Sequence, residues 1–259
     1  MIPDLTIGDL MIDCADAQRT RDFYADLTGW ERTTAYNCLA LNADKGLTIL
    51  FAQLDTPFVS PVWPEAPGAQ QKQMHLDFGV DDLRRAVRRA TRLGATKAKK
   101  QYNPKGHITM LDPEGRPFCL CIWQNSHSQK SKKRGSGAIL DFGFNIDCRR
   151  SEVLRAFYAE LTPWDQEFHY TALAADNGFV VHFMGCDGDF EYIPPVWPEE
   201  PGKQQKQMHF NFQVDDLPSA VEEALRCGAK KAGRQYGGEQ FVTMFDSEGH
   251  PFCLCRRLP

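Results

Sequence analysis

The chain repeats itself. Pro61-Val62-Trp63-Pro64-Glu65 returns as Pro195-Val196-Trp197-Pro198-Glu199, and the QQKQMH run from Gln70 to His75 returns from Gln204 to His209. PFCLC, from Pro117 to Cys121, reappears from Pro251 to Cys255, and Leu27-Thr28-Gly29-Trp30 is answered by Leu161-Thr162-Pro163-Trp164. Each pair is separated by 134 positions, as His75 and His209 are. A common offset over several blocks means that a whole domain is written twice, because solenoid repeats are several-fold shorter. The expected organisation is a first domain over 1–123, a polar linker over 124–137 and a second domain over 138–259.

The linker, QNSHSQKSKKRGSG, carries Lys130, Lys132, Lys133 and Arg134 among Ser and Gly. Such a composition cannot bury a core and reads as a solvated connector in preference to a nucleic-acid patch. Fourteen residues span up to ~45 Å when extended, which leaves the copies free to pair face to face. The net charge of −4 gives no pull toward nucleic acid or membrane. No apolar run approaches the ~18 residues of a membrane span, and the N-terminus lacks a secretory pattern. The nine cysteines are an odd number without disulfide-type spacing. A cytoplasmic protein with reduced thiols is expected.

Within one copy, Ile7 to Cys14 alternates as a strand does, and Asp16 N-caps a helix to Leu27 that places Phe23, Tyr24 and Leu27 on one stripe. Strands follow near 31–34, 37–41 and 47–53, then a loop with Pro57, Pro61, Pro64 and Pro67. A strand from Gln73 to Val80, a helix capped by Asp82 and stopped at Gly94, strands near 96–101 and 107–111, the turn 112–115 and a strand from Pro117 to Trp123 complete the copy. The order is βαβββ, twice per copy.

These elements resemble the vicinal oxygen chelate superfamily and its glyoxalase-like domains. The resemblance rests on Asp16 with Phe23-Tyr24, repeated at Phe157-Tyr158; on His75 with Val80-Asp81-Asp82, repeated at His209 with Val214-Asp215-Asp216; and on the turns Asp112-Pro113-Glu114-Gly115 and Asp246-Ser247-Glu248-Gly249. It implies an α+β fold of tandem domains, each two βαβββ units forming cup-shaped mixed sheets with helices on the outer face. It also implies that the concave face holds a small ligand, often with a divalent metal held by four strands. The positions so implied are Asp9, Leu50, His75 and Cys119 in the first copy, and Gly143, His182, His209 and Cys253 in the second. The acidic ligands usual on the fourth and last strands are missing.

Strand parity says which of these side chains share a face. Met74, Leu76, Phe78 and Val80 form a core face, so His75 and Asp77, like His209 and Asn211, point into the cup. Phe118, Leu120 and Ile122 are core-facing, which leaves Cys119, Cys121 and Trp123 on the cup side. His and Cys with one more N or O donor suit zinc or another transition metal. If cups are shared between the copies, His182 joins His75 and Cys119, and Asp9 joins His209 and Cys253. If each copy keeps its own cup, His182 joins His209 and Cys253, and Asp9 joins His75 and Cys119. The residues alone leave both arrangements open. If only one cup is functional, the one holding His182 is the first place to look.

Two functions follow. The preferred one is a small-molecule-binding protein without the usual acidic metal site, in the way that bleomycin-resistance-like relatives sequester drugs. Its ligand contacts are His75, Cys119, Trp63 and Asp77, with His209, Cys253, Trp197 and Asn211 in the other copy. The alternative is a metal-dependent lyase or isomerase of the glyoxalase I type, using Zn, Ni, Mn or Fe, with Asp9 or Asp77 as base. Trp63 and Trp197 suit flat platforms over a cup mouth, with Gln70, Gln71, Gln73 and their counterparts supplying amide hydrogen bonds, or else a loop docked on its own domain through the Trp or across the two copies. The pair Cys119 and Cys121, two apart on a strand, is poorly placed for a disulfide. His107, His127, His169 and His250 show no partner pattern and are expected at the surface or in turns.

Overall fold

The computed structural model describes residues 1–122, 137–175, 178–186 and 191–257. The linker from 124 to 136, Trp123 and His127 lie outside the described residues. The first copy supplies β1 (Thr6–Cys14), α1 (Ala17–Thr28), β2 (Glu31–Ala35), β3 (Cys38–Asn42), β4 (Thr48–Gln53), β5 (Met74–Val80), α2 (Leu83–Arg92), β6 (Thr96–Lys97), β7 (His107–Leu111) and β8 (Pro117–Ile122). The second supplies β9 (Ile139–Cys148), α3 (Ser151–Leu161), β10 (Asp165–His169), β11 (Ala172–Ala174), β12 (Val180–Gly185), β13 (Met208–Val214), α4 (Leu217–Arg226), β14 (Lys230–Lys231), β15 (Phe241–Phe245) and β16 (Pro251–Arg256). Both copies follow the βαβββ order twice.

Local chemistry sets the helix ends. The Asp16 carboxylate accepts from Arg19 N, and Gly29 closes α1 with φ 85°, a left-handed conformation that glycine adopts without steric cost. Position 163 is proline in the second copy, and α3 ends without that cap, at Thr162 in an extended conformation. Asp82 and Asp216 cap α2 and α4 in the same way, accepting from Arg85 N and Ser219 N. The strand expected over 96–101 is shorter than its pattern suggested. Beyond Lys97, the Gln101 side chain takes over the ladder, accepting from Thr109 N at 2.9 Å and donating to Thr109 O at 2.9 Å.

The strands form two eight-stranded mixed sheets, and each draws on both copies. One sheet runs β14-β15-β16-β13-β1-β4-β3-β2 and the other β10-β11-β12-β9-β5-β8-β7-β6. The seams are antiparallel, β1 on β13 with Leu10 opposite Phe210, and β5 on β9 with Leu76 opposite Phe144. The concave faces are called cup A (β1–β4 with β13–β16) and cup B (β5–β8 with β9–β12). Of the two arrangements the residues allowed, the shared one is therefore present. The helices cover the sheet faces opposite the cups. The Tyr24 ring lies 6.2 Å from Phe51 of one sheet and 6.2 Å from Phe78 of the other, so α1 is sandwiched between the sheets. Tyr158 of α3 does the same, 5.5 Å from Phe183 and 6.4 Å from Phe212. One continuous apolar core results.

The two QQKQMH loops explain why the halves exchange. Gln70 Nε2 donates to Gln205 O at 2.9 Å, and Gln205 N donates to Gln70 Oε1 at 2.8 Å. Gln71 N donates to Gln204 Oε1 at 2.7 Å, and Gln204 Nε2 donates to Ala69 O at 2.8 Å. These glutamines thus clasp one copy to the other instead of lining a cup mouth. Next to them, Lys72 is buried between Glu65, at 2.8 Å, and Asp147 of the opposite copy. Lys206 is buried between Glu199, at 3.7 Å, and Asp13 of the opposite copy. Each lysine thus carries a buried ion pair that joins one copy to the other, and removing either lysine would leave buried carboxylates uncompensated.

His250 departs from the surface or turn role expected of it. It follows the turn that starts at Asp246, but only 3% of it is exposed. Its Nδ1 lies 3.0 Å from Asp246 Oδ2, and its Nε2 lies 2.7 Å from Asp147 O and 2.6 Å from the Tyr192 hydroxyl. The signal was in the repeat, since the same position of the first copy is Arg116. That side chain is equally buried and pairs with Asp112 at 3.2 Å and Glu114 at 2.7 Å.

Candidate functional site: two unequal cups

Two rows of side chains cross each cup floor at the seam. In cup A, Leu50, Met11 and His209 stand in one row and Asp9, Asn211 and Cys253 in the other. In cup B the rows are His182, Asn145 and His75, and Gly143, Asp77 and Cys119. Strand alternation puts these residues on the concave faces as parity required. His182 shares cup B with His75 and Cys119, and Asp9 shares cup A with His209 and Cys253, but among the described residues neither trio gathers its donor atoms within 4.8 Å of one another.

Cup A holds a cavity of about 550 Å³ walled by Met11, Tyr36, Leu50, Trp197, Tyr236 and Phe241. Its polar floor comprises Asp9, His209, Asn211 and Cys253, with Lys206 and Asp13 alongside. Asn211 Nδ2 donates to Asp9 Oδ1 at 2.5 Å. Burial pushes Asp9 up to about 6, although the Asn211 bond works the other way. Burial, reinforced by the nearby Lys206 ammonium, holds His209 well below the ordinary histidine value. The imidazole is therefore neutral, and its Nδ1 is buried without a hydrogen-bond partner among the described residues. Trp197 Nε1 is likewise buried and unpartnered. Trp63, at the corresponding place beside cup B, instead donates to Lys100 O at 3.1 Å. This apolar cavity lies in the cup without His182.

Cup B is built for charge. His75 Nε2 stands 3.3 Å from Asp77 Oδ1, and Asn145 Nδ2 donates to Asp77 Oδ2 at 2.5 Å. Burial opposes an imidazolium, but Asp77 and then Cys119 outweigh it and push His75 up to about 10. Burial likewise raises Asp77, and His75 more than offsets it, so the carboxyl sits below its usual range. Burial lowers His182. One donor atom each from His75, Asp77 and Cys119 lies within 4.8 Å of the others. His75 Nδ1 and Asn145 Oδ1 are buried without hydrogen-bond partners among the described residues.

Sequence reasoning misses one participant here and gives another a different role. Asn145 carries no motif, and only its register between His75 and His182 shows its place. Asp77 was read as a base or ligand contact, yet it completes the donor cluster with His75 and Cys119. All nine cysteines are free thiols. No helix among the described residues is long and apolar enough to cross a membrane.

Paired βαβββ modules whose cups close across two copies define a recognisable class of α+β protein. The chain belongs to the glyoxalase-like domain family, whose model matches residues 9–121 and again 143–255. Among solved structures it is similar to glyoxalase I from Zea mays, with 12% identity, 97% of this chain and 92% of that chain covered, and a TM-score of 0.64. It is also similar to the cppA protein from Streptococcus pneumoniae TIGR4, with 11% identity, 99% and 100% coverage, and a TM-score of 0.51. At such identities the likeness is one of fold. No curated protein matches the sequence.

Proposed function

We propose that this protein binds a small, partly aromatic organic molecule in cup A. The observation that carries the reading is the cavity of about 550 Å³, with aromatic walls over a narrow polar floor. Pockets of a few hundred Å³, mostly apolar with a few converging polar groups, are the usual form of a small-molecule site. Tyr36, Trp197, Tyr236 and Phe241 would sandwich a ring, and the unpartnered Trp197 Nε1 would donate to an acceptor on it. Asp9, Asn211 and the neutral His209 would orient the polar end.

The anionic aromatic dye 8-anilinonaphthalene-1-sulfonate serves as a probe. One saturable site per chain is expected by fluorescence titration, and Leu50→Trp, which fills the cavity, should abolish it. Binding that survives Leu50→Trp unchanged would remove cup A from consideration.

A second reading applies to cup B, where the donor cluster favours it. His75, Asp77 and Cys119 offer the N, O and S donors that zinc accepts, and the unpartnered His75 Nδ1 fits a missing partner. His182 would be a further donor. A divalent metal there would act as a Lewis acid on a carbonyl or similar oxygen. In its absence, the His75–Asp77 pair balances its own charge. Elemental analysis of protein purified without chelator decides the matter. Stoichiometric zinc, nickel, manganese or iron that is lost in Cys119→Ser supports the metal, and a metal content near zero rejects it.

A further inference from the structure

The pseudo-symmetry of the chain fails most sharply outside the cups. Residues 83–105 carry Arg84, Arg85, Arg88, Arg89, Arg92, Lys97, Lys99, Lys100 and Lys105 and no acid, a net +9 in a chain whose total is −4. The matching stretch, 217–239, holds four cations and three glutamates, a net +1. Arg85 becomes Ser219, Arg88 becomes Glu222, Arg89 becomes Glu223, Lys99 becomes Gly233 and Lys105 becomes Glu239. The same fold therefore tolerates a near-neutral version of this surface.

The charges form one surface. Arg84, Arg85, Arg88 and Arg92 are exposed on α2, and Lys97, Lys99 and Lys100 are exposed on and just after the adjacent edge strand β6. Arg85 is 3.5 Å from Asp82, and Arg89 donates to Asp26 O at 2.7 Å. Among the described residues, Arg84, Arg88, Arg92, Lys97 and Lys99 make no ion pair. Lysine on an edge strand guards against strand pairing, and both copies keep one there, Lys97 and Lys231. That role does not explain the arginines of α2, which α4 lacks apart from Arg226. A membrane-surface helix needs exposed apolar residues to insert, but Leu83, Val87 and Leu93 pack against the core.

We infer that the α2–β6 face docks the phosphodiester backbone of a nucleic acid. A row of exposed guanidiniums on α2, Arg84, Arg88 and Arg92 one turn apart and flanked by lysines, fits regularly spaced phosphates. The whole-chain charge concealed this by averaging the basic stretch with a net-acidic remainder of the chain. The inference is independent of what either cup holds.

The test uses the full chain and a fluorescein-labelled, random-sequence 20-base-pair DNA duplex, with anisotropy read from 50 to 200 mM NaCl. Each phosphate neutralised contributes about −0.9 to the slope of log K against log salt, so several contacts give a slope of about −4 or steeper. Arg85→Ser/Arg88→Glu/Lys99→Gly, which installs the residues of the second copy, should weaken binding by about tenfold or more and flatten the slope by about 3. Lys230→Ala/Lys231→Ala should change affinity less than about twofold, and circular dichroism should show all variants folded. The inference fails if the duplex does not bind at 50 mM NaCl, or if both sets of variants lose affinity alike. It also fails if polyglutamate, at equal charge, competes as well as unlabelled duplex, or if phosphatidylglycerol vesicles bind where the duplex does not.

Discussion

Across the seam from His209 in cup A stands Met11, and the next strand brings Leu50; in cup B the same places hold Asn145 and His182. Each cup keeps one His, one Cys, and one Asp hydrogen-bonded to one Asn. The acid, however, changes strand, from Asp9 on β1 to Asp77 on β5, beside His75. That relocation inverts the ionisation of the floor histidine. Asp9 is engaged by Asn211 and does not pair with His209, which burial and Lys206 hold neutral, whereas His75 gains an imidazolium–carboxylate pair. A duplicated scaffold thus yields one apolar cavity over a neutral histidine and one charged, metal-compatible cluster, through few substitutions and no change of topology.

The largest effects should appear where the cups agree. Lys72→Met and Lys206→Met each leave buried carboxylates unpaired, and each should cost about 3–5 kcal/mol in urea unfolding. A loss in one variant only would show that the copies do not share this clasp.

The sharper test pairs the two acids. Asp77→Asn should destabilise the protein by about 2–3 kcal/mol at pH 7, since it removes the partner of a buried imidazolium. Asp9→Asn should do the reverse at pH 8. Because its folded value of about 6 exceeds the ordinary 3.8, Asp9 holds a proton that the unfolded chain releases between those values. Stability therefore falls as pH rises through that window, and the penalty remains above it. At ~1.4 kcal/mol per pH unit, Asp9→Asn should gain about 1–3 kcal/mol at pH 8 and nothing at pH 3.5, as thermal melts would show. Same-sign effects of the two substitutions would contradict the assigned ionisation of the floors.

The smallest effect concerns His250 against Arg116. Burial opposes protonation of His250, but Asp246 overrides it and the folded value lies above the ordinary one. Its contribution is therefore complete below the unfolded histidine value and is lost as pH rises through the folded value. His250→Arg, the residue of the first copy, should flatten that part of the stability profile above neutral pH. An unchanged profile would place the titration elsewhere.

Much of this was legible in the residues. The 134-residue offset gave two domains, and alternation around His75 and Cys119 gave the cup faces, because repeat and parity are local properties of a chain. The loop glutamines admit two uses in the sequence, a ligand contact or a dock across the copies. Whether Gln70 meets a ligand or Gln205 depends on contacts 135 residues apart. Asn145 escaped notice for the same reason.

The sequence alone determined the duplicated βαβββ units, their core faces and the His and Cys on each floor. Tertiary structure alone decided that each cup is completed by the other copy, and hence that His182 belongs with His75 and Asp9 with His209. Each half of a copy presents the same seam edge to two chemically similar partners, so local preference is indifferent between them. The choice is visible only in the glutamine clasp and the buried lysine pairs, which exist once the halves are exchanged.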